Sequence, residues 1–251
     1  MTDRILMTGA NRGIGLELTR QAAAAGHHVT AACRTPDRAD DLNALAAQAE
    51  AEAQAEAEAQ AEGGGSIAVI GMEVRDEASV RAAAAGVGGL DLVICNAGTL
   101  NARGGLTDPG HTPENIAESL ITNIAGVFFT ARHFLANLKA GAADRASGTC
   151  PRIAVISSQM GSSTRAGTTA PIYRATKAAA TNLARSMALE LAHDGIAVGA
   201  WHPGWVQTDM GGAEAAITVE ESAAGLLQRF ALLRPETSGV FETYQGEEMP
   251  F

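Results

Sequence analysis

The sequence predicts an α/β protein, a doubly wound parallel sheet covered by helices on both faces and built as one domain. Three observations carry that reading. Short apolar runs rich in β-branched residues recur along a chain of 251 residues. Amphipathic segments of helical length lie between them. A glycine-rich turn, Thr8-Gly9-Ala10-Asn11-Arg12-Gly13-Ile14-Gly15, joins the first run to the first such segment. Runs that are apolar throughout, rather than alternating, belong to strands buried on both faces, as in parallel sheets. Right-handed crossovers then place ligands outside the carboxyl ends of the strands.

The elements follow in order. Residues 5–8, 29–32, 67–70, 90–95, 153–156 and 196–200 read as strands. Residues 15–26, 113–138 and 173–193 read as helices, and a further helix is expected from near Thr218. Residues 46–62 alternate Ala with Glu and Gln and carry five glutamates. That period suits a strand, but the three residue types are strong helix formers and poor strand formers. On a helix, a period of two spreads polar groups around every face. The segment is therefore expected to be a solvated helical extension with its tip near Gly63-Gly64-Gly65; an acidic interaction segment is the functional alternative.

Composition excludes several classes. Hydrophobic residues make up 46% and charged residues 18%, which describes a soluble globular chain. No run is long enough for a membrane span, and the start lacks the apolar core of a signal peptide. Cys33, Cys95 and Cys150 have no ligand spacing, so a reducing cytoplasm is expected. The histidines show no ligand spacing either, and no metal is expected; His27 and His28 sit at a helix end, where contact with the dipole explains them, and His202 shapes its loop. A net charge of −10 argues against nucleic-acid or anionic-membrane partners.

In the glycine-rich turn, Gly9 allows a tight bend, Gly13 lets backbone approach a pyrophosphate, and Gly15 permits close packing of helix on sheet. The helix N-terminus then offers free amides and a positive dipole to phosphates. The spacing Gly-x-x-x-Gly-x-Gly differs from the commoner dinucleotide fingerprint. Further along, Tyr173 and Lys177 are four residues apart, which on a helix puts them on one face. A neighbouring ammonium favours the phenolate, lowering the phenol pKa and fitting Tyr173 for general acid or base work.

Taken in order, Thr8-Gly9 with Gly13 and Gly15, Asn96-Ala97-Gly98, Ser158, Tyr173 with Lys177, and Pro203-Gly204 resemble the short-chain dehydrogenase/reductase family over nearly the whole chain. The turn sequence and the ending Tyr244-Gln245-Gly246-Glu247-Glu248-Met249-Pro250-Phe251 are similar to its C-factor and sniffer-type carbonyl reductase branch, whose members often end in Pro-Trp. The resemblance implies a Rossmann-like fold, with Tyr173 as proton donor to a carbonyl. It implies that Lys177 lowers the phenol pKa and bonds the nicotinamide ribose, that Ser158 orients the substrate oxygen, and that Asn123 holds a water in a proton relay. Two hydroxyl donors would stabilise the charge that builds on oxygen as hydride arrives. The plainer readings are a strand-end turn for Ser157 and Ser158, and helix packing for Asn123, whose buried amide needs partners in any case.

An NAD enzyme of this type places an acidic residue after the second strand. Here Ala31-Ala32-Cys33-Arg34-Thr35 has none. Arg34 and Arg12 instead suit a ribose 2′-phosphate, which points to NADP(H), although Arg34 also reads as a solvated surface residue. The resemblance further assigns Asn11 and Ile14 to the cofactor loop, and Glu73 and Val74 to the adenine. Asn96, Ala97 and Gly98 fall beside the cofactor, and Pro203, Gly204, Val206 and Thr208 close over the nicotinamide. Gln159, Met160, Ile172, Trp205 and Met210 are expected as mainly apolar pocket walls under a short lid, with core packing the alternative for Met160. The expected function is NADPH-dependent reduction of a small ketone or aldehyde to an alcohol, in a cytoplasmic homodimer or homotetramer. The alternatives are a catalytically quiet NADP(H)-binding signalling protein and an NAD-linked alcohol dehydrogenase.

Overall fold

The computed structural model describes residues 2–58, 64–144 and 150–251. In chain order it contains β1 (Arg4–Thr8), α1 (Gly13–Ala24), β2 (His28–Cys33), α2 (Asp40–Glu58), β3 (Ser66–Gly71), α3 (Glu77–Ala85), β4 (Leu92–Cys95) and α4 (Pro113–Leu120). A π turn (Ile121–Ala125) follows, then α5 (Gly126–Ala143), β5 (Arg152–Ile156), α6 (Pro171–Glu190), β6 (Ala197–His202), α7 (Val219–Leu232) and β7 (Phe241–Thr243). The strands form one parallel sheet in the order β3-β2-β1-β4-β5-β6-β7, the doubly wound, Rossmann-like arrangement.

Side-chain alternation along the strands divides the core between the two faces. Leu6, Val93, Val155 and Val198 pack against Val80 of α3, Phe134 of α5 and Ala184 of α6. Ile5, Met7, Ile94 and Ala154 pack with Leu18 of α1, Leu42 of α2 and Phe230 of α7 on the other side. There Trp201 meets Phe230 edge to face at 5.0 Å, a favoured aromatic geometry.

Three differences from the sequence expectations have physical causes. The seventh strand, β7, was not anticipated, because three residues at the sheet edge carry too little pattern to read. The helix expected over 113–138 is two helices separated by the π turn. His27 does not act as a cation at a helix end. Its Nδ1 accepts the Asp3 N–H at 2.9 Å, and burial pushes its pKa down, so the ring is neutral. The Ala/Glu/Gln segment is helical as far as Glu58, with Gln48 Nε2 donating to Glu52 at 2.8 Å; residues 59–62 and Gly63 lie outside the described residues.

Phe134 is fully buried between α5 and the sheet. Phe134→Ala should lower unfolding free energy by roughly 3–5 kcal/mol, seen as a drop in urea midpoint with an unchanged slope.

Candidate active site

The carboxyl ends of the strands open into a cleft of 740 Å³, within the usual range for a ligand site. Its first wall is the glycine turn. Gly9 has φ +67° and its missing side chain would press on Ala97 at 3.0 Å, while at Gly15 any Cβ would collide with the Gly9 carbonyl and the Asn96 amide. The Asn96 amide donates to the Thr8 and Gly9 carbonyls at 2.9 and 3.1 Å. These contacts hold the turn against the end of β4. No side chain caps the N-terminus of α1. The amides of its first turn, at Gly13, Ile14 and Gly15, therefore face the cleft, an arrangement suited to phosphate.

At one end of the cleft stand Arg12, Arg34, Thr35 and Arg38. Arg38 was missed from sequence; it sits on a short 3₁₀ turn, Pro36–Arg38, and lines the same cleft as Arg34. A second arginine four residues after the first was the available signal. Glu73 and Val74 line the same end. The Glu73 carboxylate accepts the Arg75 backbone N–H at 3.0 Å and its guanidinium at 2.8 Å. Burial works to raise its pKa, but the bonds to Arg75 outweigh that and hold it below the usual value. Arg34 stands 4.0 Å from the same carboxylate.

Tyr173 and Lys177 form the other end. Both ride on α6, whose start is fixed by Pro171 at its first position and by Ala170 in a left-handed conformation, φ +48°. The Ala170 N–H bonds the Gly104 carbonyl at 2.8 Å, which supports that strained residue. The Lys177 ammonium donates to the Ile156 carbonyl at 2.8 Å and lies 5.6 Å from the Tyr173 ring centre. Burial pulls its pKa down to about 8. Burial also pushes the Tyr173 phenol up to about 12, with the adjacent Ser158 hydroxyl acting in the opposite sense. The lowering expected from Lys177 is not seen: burial outweighs the Ser158 hydrogen bond, while the ammonium donates to the Ile156 carbonyl.

Ser158 caps a short turn by accepting the Met160 N–H at 3.1 Å. Ser157 bonds Thr181 and the Lys177 carbonyl, which makes it part of the packing of β5 on α6. Asn123 is 1% exposed and sits in the π turn, a frequent feature of functional sites. Its amide donates to the Thr99 carbonyl at 2.9 Å and the Thr176 hydroxyl at 3.0 Å, and its oxygen accepts the Thr99 N–H at 2.8 Å. Both amide protons are thus committed to protein partners.

The expected lid is short and held by its own bonds. Thr208 accepts the Gly211 N–H, and Trp205 Nε1 donates to the Gly211 carbonyl at 2.8 Å. Arg12 pairs with Asp209 of this lid at 3.2 Å, and Arg103 donates to the Met210 carbonyl at 2.6 Å. Asn11, Asn96, Ala97, Gly98, Pro203, Thr208 and Met210 line the cleft, as do the unanticipated Asn101 and Glu118. Several expected residues do not. Gly204 and Val206 turn toward Ile217. Trp205 folds back on its own loop, and Gln159 and Met160 stand on the turn behind Ser158, with Gln159 accepting a bond from Arg165. Among the described residues no cluster of His, Cys, Asp or Glu is arranged to hold a metal.

Known proteins resemble this chain in sequence and in fold. The sequence model described as short chain dehydrogenase matches residues 3–217. The C-signal of Myxococcus xanthus is 36% identical over 167 residues, spanning 65% of this chain and 94% of that protein. The 1-hydroxy-2-glutathionyl-2-methyl-3-butene dehydrogenase of Rhodococcus sp. (strain AD45) is 30% identical over 254 residues, spanning 96% of each. The crystal structure of NADPH-bound carbonyl reductase from chicken fatty liver superposes with a TM-score of 0.83 at 32% identity, covering 100% of this chain and 99% of that one. With the family's sequence model spanning most of its length and the same fold in its relatives, the chain belongs to the short-chain dehydrogenase family.

Proposed function

We propose that this chain is an NADPH-dependent reductase of small ketones or aldehydes. The observation that carries the reading is one continuous cleft with an arginine-lined end and, at the other, a protonated phenol beside a buried lysine. The residues fit the cofactor class. The uncapped start of α1 suits a pyrophosphate, and Arg12, Arg34 and Arg38 suit a 2′-phosphate: β2 ends without a carboxylate, and three guanidinium groups outnumber Glu73, which stands 4.0 Å from Arg34. The cofactor, when bound, supplies the hydride.

The chain's own residues handle the proton and the charge. With its pKa pushed to about 12, Tyr173 keeps its proton at neutral pH and is competent to donate it to a carbonyl oxygen. Ser158 supplies the second donor at that oxygen, where negative charge develops. Lys177 remains largely protonated at pH 7 and stabilises the phenolate left behind. Asn123 acts through position, tying the loop after β4 to α6; any relay role belongs to its backbone rather than its committed amide. The similarity to the chicken reductase supports the carbonyl substrate class.

The likeness to C-signal favours a second reading, an NADP(H)-binding signalling protein without turnover. Self-association through the α4–α5 surface and α6 is proposed on the exposed Leu120, Ile121 and Phe128. The cytoplasm is the proposed location; among the described residues no helix is long and apolar enough to cross a membrane.

Three measurements test this. Tyr173→Phe should bind NADPH normally and reduce a carbonyl panel at least ~100-fold more slowly; tight NADPH binding with no turnover by the native protein favours the signalling reading instead. Arg34→Asp should raise the KM for NADPH at least ~10-fold, the loss of one charge-assisted contact, with little effect on that for NADH. Lys177→Met should abolish turnover yet melt at or above the native protein at pH 7. A shift from the ordinary 10.5 to about 8 corresponds to roughly 3 kcal/mol of penalty on the charged lysine, offset in part by the unpaired Ile156 carbonyl. That penalty is full below pH 8 and disappears toward pH 10.5, so the variant's advantage should shrink between pH 7 and pH 9.5.

A further inference from the structure

Beside Tyr173 the cleft carries a small annex. It is bordered by Asn101, His111, Asn115, Ser119, Ile172 and Tyr173, and it leaves about 10 Å³ for the centre of a water-sized group. One hydroxyl or one water fills that space. Leu100, Asn101 and Tyr173 line both the annex and the main cleft, so the two are continuous at the phenol. Where mainly apolar pocket walls were expected, the annex sets the polar groups of Asn101, His111, Asn115 and Ser119 among Leu100, Ile116 and Ile172.

Its polar groups are held rigidly, and not all are satisfied. Asn101 donates to the Asn115 carbonyl at 3.2 Å and to Glu118 at 2.9 Å, and its oxygen accepts the Thr99 hydroxyl at 2.5 Å. Glu118 is fixed in turn by Arg75 at 2.9 Å. That oxygen keeps one lone pair unused, since a carbonyl accepts two bonds. The Asn115 amide donates to the Gly110 carbonyl, and Ser119 to the Asn115 carbonyl. His111 differs, because its Nε2 is buried and meets no partner among the described residues. A buried ring nitrogen without a partner costs stability, and it is unexpected in a wall with no ligand to serve.

We infer that this annex binds a hydroxyl on the carbon adjacent to the reacting carbonyl, so that α-hydroxy ketones and α-hydroxy aldehydes are the preferred substrates. The inference rests on the reductase reading above. With the carbonyl oxygen at Tyr173 and Ser158, the neighbouring hydroxyl would enter the annex that Asn101, His111 and Tyr173 line together. It donates to the Asn101 oxygen and pairs with His111 Nε2, which donates or accepts according to tautomer. NADPH, when bound, would supply hydride to the carbonyl carbon, the displaced carbon–oxygen π pair would take the Tyr173 proton, and solvent would return a proton to the phenolate. The products are a vicinal diol and NADP⁺. A site with polar groups aligned for a hydroxyl discriminates strongly against the analogue lacking one.

The test compares NADPH oxidation with 1-hydroxybutan-2-one and butan-2-one, in the native protein and in His111→Leu and His111→Gln. The native kcat/KM should favour the hydroxyketone roughly tenfold or more, the worth of one hydrogen bond. His111→Leu should bring the ratio toward one, and His111→Gln should restore part of it. A native ratio at or below one, or a ratio unmoved by His111→Leu with an intact melting transition, overturns the inference and leaves the reductase reading standing. Turnover of neither compound overturns both. If His111→Leu does not fold, the native ratio and that of His111→Gln decide the matter alone.

Discussion

The hydroxyl of Thr8 is the joint on which the carboxyl edge of the sheet depends. It donates to the Ile94 carbonyl at 3.3 Å and accepts the N–H groups of Asn96 and Ala97 at 3.0 Å each. The Asn96 amide returns two bonds to the other side of the same turn. This knot lies between β1 and β4, where the direction of winding reverses and a crevice must open. It sets the glycine turn on one side. On the other it places Gly98 where a side chain would stand 3.3 Å from the Asn123 oxygen and 3.4 Å from the Lys177 nitrogen. A side chain at Gly98 would therefore crowd both Asn123 and Lys177.

Burial then divides the cleft electrically. Arg12 and Arg34 are exposed, hydrated and only loosely paired, at 3.2 Å from Asp209 and 4.0 Å from Glu73. Tyr173 and Lys177 feel the opposite environment, with both pKa values moved toward the neutral form. The mouth attracts anions while the floor resists any charge not made there. Ser157, bonded to the Lys177 carbonyl, and Gly161, packed closely on the Lys177 backbone, keep α6 from shifting to relieve that cost.

Much of this was legible in the residues. Six strands, the glycine turn and the position of Tyr173 and Lys177 on one helix follow from local pattern, since each is encoded within a few consecutive residues. The missed parts are those set by distant contacts. β7 exists because Phe241 pairs with Ala200 on the neighbouring strand, and three residues alone cannot announce that. Trp205 read as a pocket wall because it is large, apolar and beside a cofactor loop; its indole N–H is satisfied by the Gly211 carbonyl instead. Glu118 and Asn101 carried no motif, and only the return of α4 over the loop after β4 brings them together. The direction of the Tyr173 shift depends on burial, which spacing does not record.

The π turn at Ile121–Ala125 holds one residue more than an α-helix of the same rise would. That surplus residue sets the rotational phase between α4 and α5. Each α-helical residue advances about 100° around the axis, so removing one here would leave α5 seated on the sheet and turn α4 by more than a quarter revolution. Asn115 and Glu118, which grip Asn101, would swing away from the cleft together. The polar wall beside Tyr173 is therefore encoded as much by the count of residues between two helices as by the identity of any side chain within it.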